Sequence, residues 1–212
     1  MDYSLYLVTD AGLSRGRSQR DIVSAAIRGG VTVVQYREKN LPTRQMIEAA
    51  LELRALCRQH AIPFIVNDRV DVALAVGADG VHVGQEDMPA ALARRLIGPT
   101  RLLGVSAENS AEARQAQVDG ADYIGASPIF ATPTKPDAPR PMGIEGLREL
   151  ARVCTIPVVA IGGMNASNAA LVLRAGAAGV AVVSAIVGAQ DVEQAARELK
   201  AIVDNERRPP ST

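Results

Sequence analysis

Short runs of β-branched and apolar residues recur along the chain, separated by longer stretches whose apolar positions repeat at helical spacing. The runs at 5–8, 32–36, 64–66, 81–83, 102–105, 123–125, 158–161 and 180–183 predict eight strands. The stretches between and after them, at 19–28, 43–60, 70–76, 89–96, 111–118, 144–153, 167–175 and 192–204, predict eight helices. Strict alternation of the two implies parallel strands, and near-continuous apolar strands imply burial on both faces. A closed barrel and a doubly wound sheet both satisfy that pattern.

An internal echo favours the barrel. Residues 62–66 (Ile-Pro-Phe-Ile-Val) resemble 156–160 (Ile-Pro-Val-Val-Ala), and 77–81 (Gly-Ala-Asp-Gly-Val) resemble 176–180 (Gly-Ala-Ala-Gly-Val), at offsets of 94 and 99 residues. Third and fourth strands echoing the seventh and eighth is what two half-barrels of four βα units give, and a doubly wound sheet predicts no such offset. Glycine before a strand also suits a helix end in any α/β fold. At 212 residues the chain is at the short end for an eight-fold barrel, with little room for inserted domains. The reading is an α/β protein with a single (β/α)8 TIM barrel over residues 1–205 and a disordered tail at 206–212, where Pro209 and Pro210 stand.

Composition narrows the partners. Hydrophobic residues make up 48% and charged residues 22%, as in soluble globular proteins. The 23 basic and 23 acidic residues cancel, and no basic block is longer than Arg207-Arg208, which argues against nucleic acid or an anionic membrane as partner. The first ten residues lack the pattern of a signal peptide, and nowhere do 18 apolar residues run without a charge. Cys57 and Cys154 lie 97 positions apart without metal-site spacing and read as inert thiols. These features predict a soluble, cytoplasmic protein with small-molecule partners, and leave a homo-oligomer open.

In such a barrel the chemistry sits at the carboxyl ends of the strands. The first strand ends in Thr9-Asp10, which offers little. The second ends in Gln35-Tyr36-Arg37-Glu38-Lys39, where extended geometry puts Gln35, Arg37 and Lys39 on one face and Tyr36 and Glu38 on the other. Two cations on one face suit an anion; a solvated loop with an Arg-Glu pair is the alternative. Asn67-Asp68 and Gly84-Gln85-Glu86-Asp87 end the next two strands, so Asp68 and Asp87 are placed to hold one Mg2+ through oxygen, or to cap the helices that follow. His82 reads as a packed mid-strand residue. Ser106, just after the fifth strand, suits a helix cap or a donor to phosphate. After the sixth strand, residues 127–141 carry five prolines and no helical period, with Thr132, Thr134 and Lys135 available in a lid. Gly162-Gly163 and Val183-Ser184 end the last two strands and suit a phosphate site of backbone N–H groups. Cations and metal on one side with a glycine-rich phosphate site on the other point to two phosphorylated ligands, one a monophosphate and one a pyrophosphate.

Six segments in order, residues 5–10 (Leu-Tyr-Leu-Val-Thr-Asp), 35–39 (Gln-Tyr-Arg-Glu-Lys), 66–68 (Val-Asn-Asp), 80–87 (Gly-Val-His-Val-Gly-Gln-Glu-Asp), 131–135 (Ala-Thr-Pro-Thr-Lys) and 161–163 (Ile-Gly-Gly), resemble the successive signatures of the thiamine-phosphate synthase family. The resemblance implies transfer of a pyrimidinylmethyl group from 4-amino-5-hydroxymethyl-2-methylpyrimidine diphosphate to the ring nitrogen of a thiazole phosphate. It implies that Gln35, with the neighbouring Tyr36 and Glu38 of its segment, lies at the pyrimidine diphosphate. Arg37, Lys39, Asn67, Ser106 and Lys135 would contact the pyrophosphate, with Arg37, Lys39, Lys135 and Ser106 catalytic. Asp68 and Asp87 would ligate Mg2+, and Thr132, Pro133, Thr134, Gly163, Val183 and Ser184 would hold the thiazole phosphate. Tyr36 stands where the family often has Leu, on the face turned from the site. A related thiazole tautomerase needs proton-transfer groups but no pyrophosphate-and-metal side, and a non-catalytic thiamine-phosphate sensor would leave the cation ligands without a task.

Overall fold

The computed structural model describes residues 1–132, 134 and 140–207. Pro133, Lys135 and the end of the expected tail, residues 208–212, lie outside the described residues. Eight strands close in sequence order into a parallel barrel: β1 (Leu5–Val8), β2 (Val33–Tyr36), β3 (Phe64–Asn67), β4 (Gly80–Val83), β5 (Leu102–Ala107), β6 (Tyr123–Ala126), β7 (Val158–Ala160) and β8 (Gly179–Val182). β8 pairs back onto β1, with Tyr6 opposite both Val33 and Ala181. Around them run α1 (Gln19–Arg28), α2 (Thr43–Gln59), α3 (Val70–Val76), α4 (Ala90–Ile97), α5 (Ser110–Val118), α6 (Gly143–Val153), α7 (Ala169–Arg174), α8 (Ser184–Val187) and α9 (Val192–Arg207).

Two departures from the sequence reading matter. Parallel pairing of Ser106 with Gly125 and of Ala107 with Ala126 carries β5 past Val105, so Ser106 belongs to the strand rather than the loop after it. α9 runs to Arg207, beyond the expected boundary at 205: Arg207 pairs with Asp2 at 2.8 Å and Glu206 with Arg174 at 3.4 Å, which ties the last turn to the barrel.

The alternation of side chains along each strand sorts the core into two bodies. Outward residues such as Leu5, Leu7, Val34, Val66, Val81, Val105, Ile124 and Val180 pack beneath the helices. Inward residues Tyr6, Val8, Val33, Ile65, Tyr123, Val159 and Ala181 fill the barrel, joined from below by Tyr3, whose ring centroid lies 4.8 Å from that of Tyr123. Bulk on one strand requires absence of bulk on the next: a Cβ on Gly104 would lie 2.2 Å from Tyr123 Cζ and 2.4 Å from His82 Nδ1. Small residues on β5 and β6 thus make room for two large polar rings in the middle of the barrel.

Candidate active site

A cavity of about 190 Å3 opens at the carboxyl ends of the strands. Its β2 wall is built as the alternation requires: Gln35, Arg37 and Lys39 line it. Tyr36 does not. Its ring lies in the outer core beside Phe64, with centroids 6.4 Å apart, because one step along a strand reverses the side chain. Nor does Glu38 reach the cavity. Its carboxylate accepts the backbone N–H groups of Lys39 (2.8 Å) and Asn40 (2.7 Å), bracing the loop that carries Lys39.

Thr9 and Asp10, passed over in the sequence, set Arg37. The Arg37 guanidinium donates to Asp10 at 3.0 Å, and the Arg37 backbone N–H donates to Thr9 Oγ1 at 3.1 Å. Asp10 also accepts the N–H of Leu13 at 3.2 Å, which fixes it at the start of a short 3-10 turn, Ala11–Leu13. The alternative, an Arg37–Glu38 pair, is not what forms: Arg37 pairs with Asp10, and Glu38 turns to the Lys39 and Asn40 N–H groups just past the end of β2. The signal available in the sequence was the acidic residue just past β1, the strand next to β2.

Asp68 and Asp87 meet across the β3 and β4 ends within hydrogen-bonding reach. Neither caps a helix: α3 follows Arg69 and α4 follows Pro89, both without a side-chain cap. Asp68 sits in left-handed backbone at φ 60°, a conformation rare for a residue with a Cβ, and its carboxylate takes the Lys39 ammonium. Asp87 accepts the Gly84 N–H at 2.8 Å within its own loop. Burial and then the hydrogen bond to Asp87 push Asp68 above the usual carboxyl range, against the pull of Lys39. Burial also raises Asp87, but the bond from Asp68 and the Gly84 N–H outweigh it and hold Asp87 low. Each carboxyl thus bears on the ionisation of the other, and Asp68 is the one whose charge the neighbour opposes.

The floor carries a continuous chain of polar side chains. Gln35 Nε2 donates to Tyr6 Oη at 2.9 Å, Tyr6 and Tyr123 hydroxyls lie 2.7 Å apart, Tyr123 Oη lies 3.0 Å from His82 Nδ1, and His82 Nε2 lies 2.9 Å from Ser106 Oγ. His82, read from sequence as packed, is packed and faces the cavity as well. Burial pushes its imidazole down to about 4, against the opposing pull of Asp87, so the ring is neutral at pH 7. Tyr6 and Tyr123 were missed for the same reason: in a sequence, a tyrosine inside an apolar strand looks like core. The parity of the strand pairs, Gly104 with both His82 and Tyr123, is what puts them inward.

On the far wall, Gly162 and Gly163 adopt φ of 98° and 66°. Side chains are barred there by space as well as by backbone: a Cβ on Gly162 would lie 2.6 Å from Pro128 Cβ, and one on Gly163 2.7 Å from the Ala131 carbonyl. The loop after β6 is pinned to this turn, Ile129 donating to the Ile161 carbonyl at 2.9 Å and Phe130 to that of Gly162 at 3.1 Å. Thr132, Thr134, Gly163, Val183 and Ser184 line this side, and the Thr134 N–H donates to Thr132 Oγ1 at 3.2 Å. Asn67 and Ser106 complete the β3 and β5 walls. Lys135 and Pro133 were placed in this lid by the sequence and lie outside the described residues.

A closed (β/α)8 barrel whose single set of strand ends gathers two cations, a carboxyl pair and a glycine turn around one cavity defines a barrel enzyme for anionic substrates. The family model of thiamine monophosphate synthase matches residues 5–186. The chain is 68% identical over 203 residues to the thiamine-phosphate synthase of Chloroflexus aurantiacus, covering 96% of this chain and 94% of that protein. It is 52% identical to that of Moorella thermoacetica, covering 97% and 98%. The thiamine phosphate pyrophosphorylase structure from Pyrococcus furiosus superposes with a TM-score of 0.91 at 46% identity, covering 98% of each chain. The chain belongs to the thiamine-phosphate synthase family, transferases of thiamine biosynthesis. No helix among the described residues is long and apolar enough to cross a membrane.

Proposed function

We propose that this cavity joins a pyrimidine diphosphate to a thiazole phosphate by a dissociative transfer of the pyrimidinylmethyl group. The observation that carries the reading is the division of one cavity into a cation-and-carboxyl wall on β2 to β4 and a glycine-turn wall on β7 and β8. The C–O bond to the diphosphate breaks with its electron pair leaving on pyrophosphate. The thiazole nitrogen then gives its lone pair to the resonance-stabilised pyrimidine cation, forming the C–N bond of thiamine phosphate. No general base is needed for that step.

Arg37 and Lys39 offer fixed positive charge where the leaving group becomes negative, which is the usual source of large electrostatic catalysis. Asn67 and Ser106 add hydrogen-bond donors beside them, and Lys135 adds a third cation. Gln35 addresses the pyrimidine; Tyr36 and Glu38 support that wall from outside the cavity. Thr132, Pro133, Thr134, Gly163, Val183 and Ser184 take the thiazole phosphate.

The carboxyl pair fits Mg2+: both groups are hard oxygen donors, and a divalent cation between them would offset the repulsion of two carboxylates brought together. Among the described residues no third His, Cys, Asp or Glu joins them, which agrees with an ion that completes its shell with water and substrate phosphate. When bound, Mg2+ neutralises charge on the departing pyrophosphate. Small-molecule substrates and a cytoplasmic setting are part of this proposal.

The test is to mix the purified chain with the pyrimidine diphosphate and the thiazole phosphate, in Mg2+ or in EDTA, and to assay both products. Thiamine phosphate and pyrophosphate formed together, and only with Mg2+, are expected. Thiazole phosphate isomerised or merely bound, with no thiamine phosphate, would transfer the assignment of the cavity to a tautomerase or a sensor.

A further inference from the structure

The polar chain across the barrel floor has a direction. Tyr6 and Tyr123 are fully buried, and each hydroxyl has one proton to give. Gln35 presents its amide N–H to Tyr6, so the Tyr6 oxygen already accepts, and its proton goes to Tyr123. Tyr123 in turn gives its proton to its other hydrogen-bond partner among the described residues, His82 Nδ1. A neutral imidazole whose Nδ1 accepts carries its proton on Nε2, and that proton goes to Ser106 Oγ. The Ser106 hydroxyl, lining the cavity, is then left with its own proton facing the ligand space. In the other tautomer Tyr123 would have to donate to Tyr6, and the proton of the buried Tyr6 hydroxyl would have no acceptor among the described residues, an expensive arrangement.

We propose that Gln35, Tyr6, Tyr123, His82 and Ser106 form a relay that couples the orientation of the Gln35 amide to the polarity of the Ser106 hydroxyl. Turning the amide over, so that Oε1 meets Tyr6, reverses every donor in the chain, moves the ring proton to Nδ1 and makes Ser106 donate to His82 instead of into the cavity. Both ends of the relay line the cavity. A heterocycle that donates to Gln35 Oε1 holds that oxygen away from Tyr6 and keeps Ser106 a donor. One that offers only an acceptor at the position now held by Gln35 Oε1 selects the reversed chain and turns the Ser106 donor away from the cavity. The relay thus makes recognition of an amino-bearing ring a condition for a donor at the leaving group. This last step rests on reading Ser106 as a pyrophosphate contact. Tyr6, Tyr123 and His82 are positioning residues in this scheme.

The chain has two histidines, so long-range 1H–15N spectra of the imidazoles resolve His82 against His60. In the ligand-free protein His82 is expected to show a protonated Nε2 and an unprotonated Nδ1. In Gln35→Glu, read at pH 8.5 where the new carboxylate only accepts, the pattern is expected to invert. Tyr6→Phe in that background should restore it, because the link to Tyr123 is cut. In Tyr123→Phe, which keeps the ring and loses only the hydroxyl, the two nitrogens are expected to average. A protonated Nδ1 in the parent chain, or a pattern indifferent to both Gln35→Glu and Tyr123→Phe, would overturn the relay. A kinetic arm tests its consequence: Tyr123→Phe is expected to lower kcat about tenfold in the parent, the scale of one hydrogen bond, and to have no further effect in Ser106→Ala. Equal losses in both backgrounds would overturn the coupling. If instead Ser106→Ala itself leaves kcat unchanged while the spectra behave as expected, the relay stands and the pyrophosphate role of Ser106 falls.

Discussion

Asp87 does two things with one carboxylate: it closes its own loop through the Gly84 N–H and faces Asp68 across the strand ends. Removing it takes away a proposed metal ligand and leaves Asp68 paired with Lys39. Asp87→Ala, and independently Lys135→Ala, are each expected to lower turnover about 100-fold or more, the scale of one lost electrostatic stabiliser. Steady-state kinetics with saturating Mg2+ checks both, and near-native kcat in either would count against the assigned roles. At the other extreme of reactivity stands Cys57. Burial, with Asp79 adding to it, pushes this thiol up to about 12, so it stays protonated far above neutral pH. At pH 8 only about one molecule in 10,000 carries the thiolate that reacts. A thiol-reactive chromogenic disulfide is therefore expected to titrate two groups in denaturant and to leave Cys57 silent in the native protein; rapid native labelling of Cys57 would refute it.

At the scale of elements, stability and site are assigned to different faces of the same strands. Outward residues meet the helices, and the last helix closes the ring: α9 lies against α1, α7 and β1, with Leu199 and Val203 buried beneath it. The ion pairs by which it reaches other parts of the barrel, Arg28–Glu193, Arg174–Glu206 and Arg207–Asp2, involve part-exposed to exposed side chains and contribute little. Leu199→Ala is expected to cost about 2–5 kcal/mol in denaturant unfolding, and Arg207→Ala less than about 1 kcal/mol. The reverse order would mean that the tail, rather than the apolar face, holds α9 in place. The same division explains what could be read from the sequence. Helical and strand periodicity gave all eight βα units, and alternation within residues 35–39 separated Gln35, Arg37 and Lys39 from Tyr36 and Glu38. It did not give the floor, because inwardness of Tyr6, His82 and Tyr123 depends on register between strands, which a single strand's pattern does not carry. Nor did it give Asp10, whose task is defined by the neighbour on β2. The end of β5 was misread for a related reason: Ser106 is in the strand only because Gly125 is opposite it.

Taken as a whole, the molecule is a closed barrel holding a cavity with cations and carboxyls on one side and the glycine turn on the other. The carboxyl pair brings two like groups together under partial burial, and one of them, Asp68, sits in left-handed backbone. A ligand that satisfies both should therefore be felt by the entire barrel, since binding to the folded state alone stabilises it by mass action. With Mg2+ and pyrophosphate present together at about 100 times their dissociation constant, the gain is about 2.7 kcal/mol. For a chain of this length that corresponds to a rise in Tm of about 5–10 °C. Mg2+ alone, offered two carboxyl groups and water, is expected to give a smaller rise, and pyrophosphate in EDTA a smaller one still. In Asp87→Asn the rise from the combination should collapse toward that of pyrophosphate alone, while the Tm of the ligand-free variant stays near or above the parent's because the repulsion has been removed. Differential scanning fluorimetry across these conditions measures all of it. An equal rise with and without Mg2+, or one untouched by Asp87→Asn, would mean that the anion is held by Arg37 and Lys39 without any contribution from the carboxyl pair.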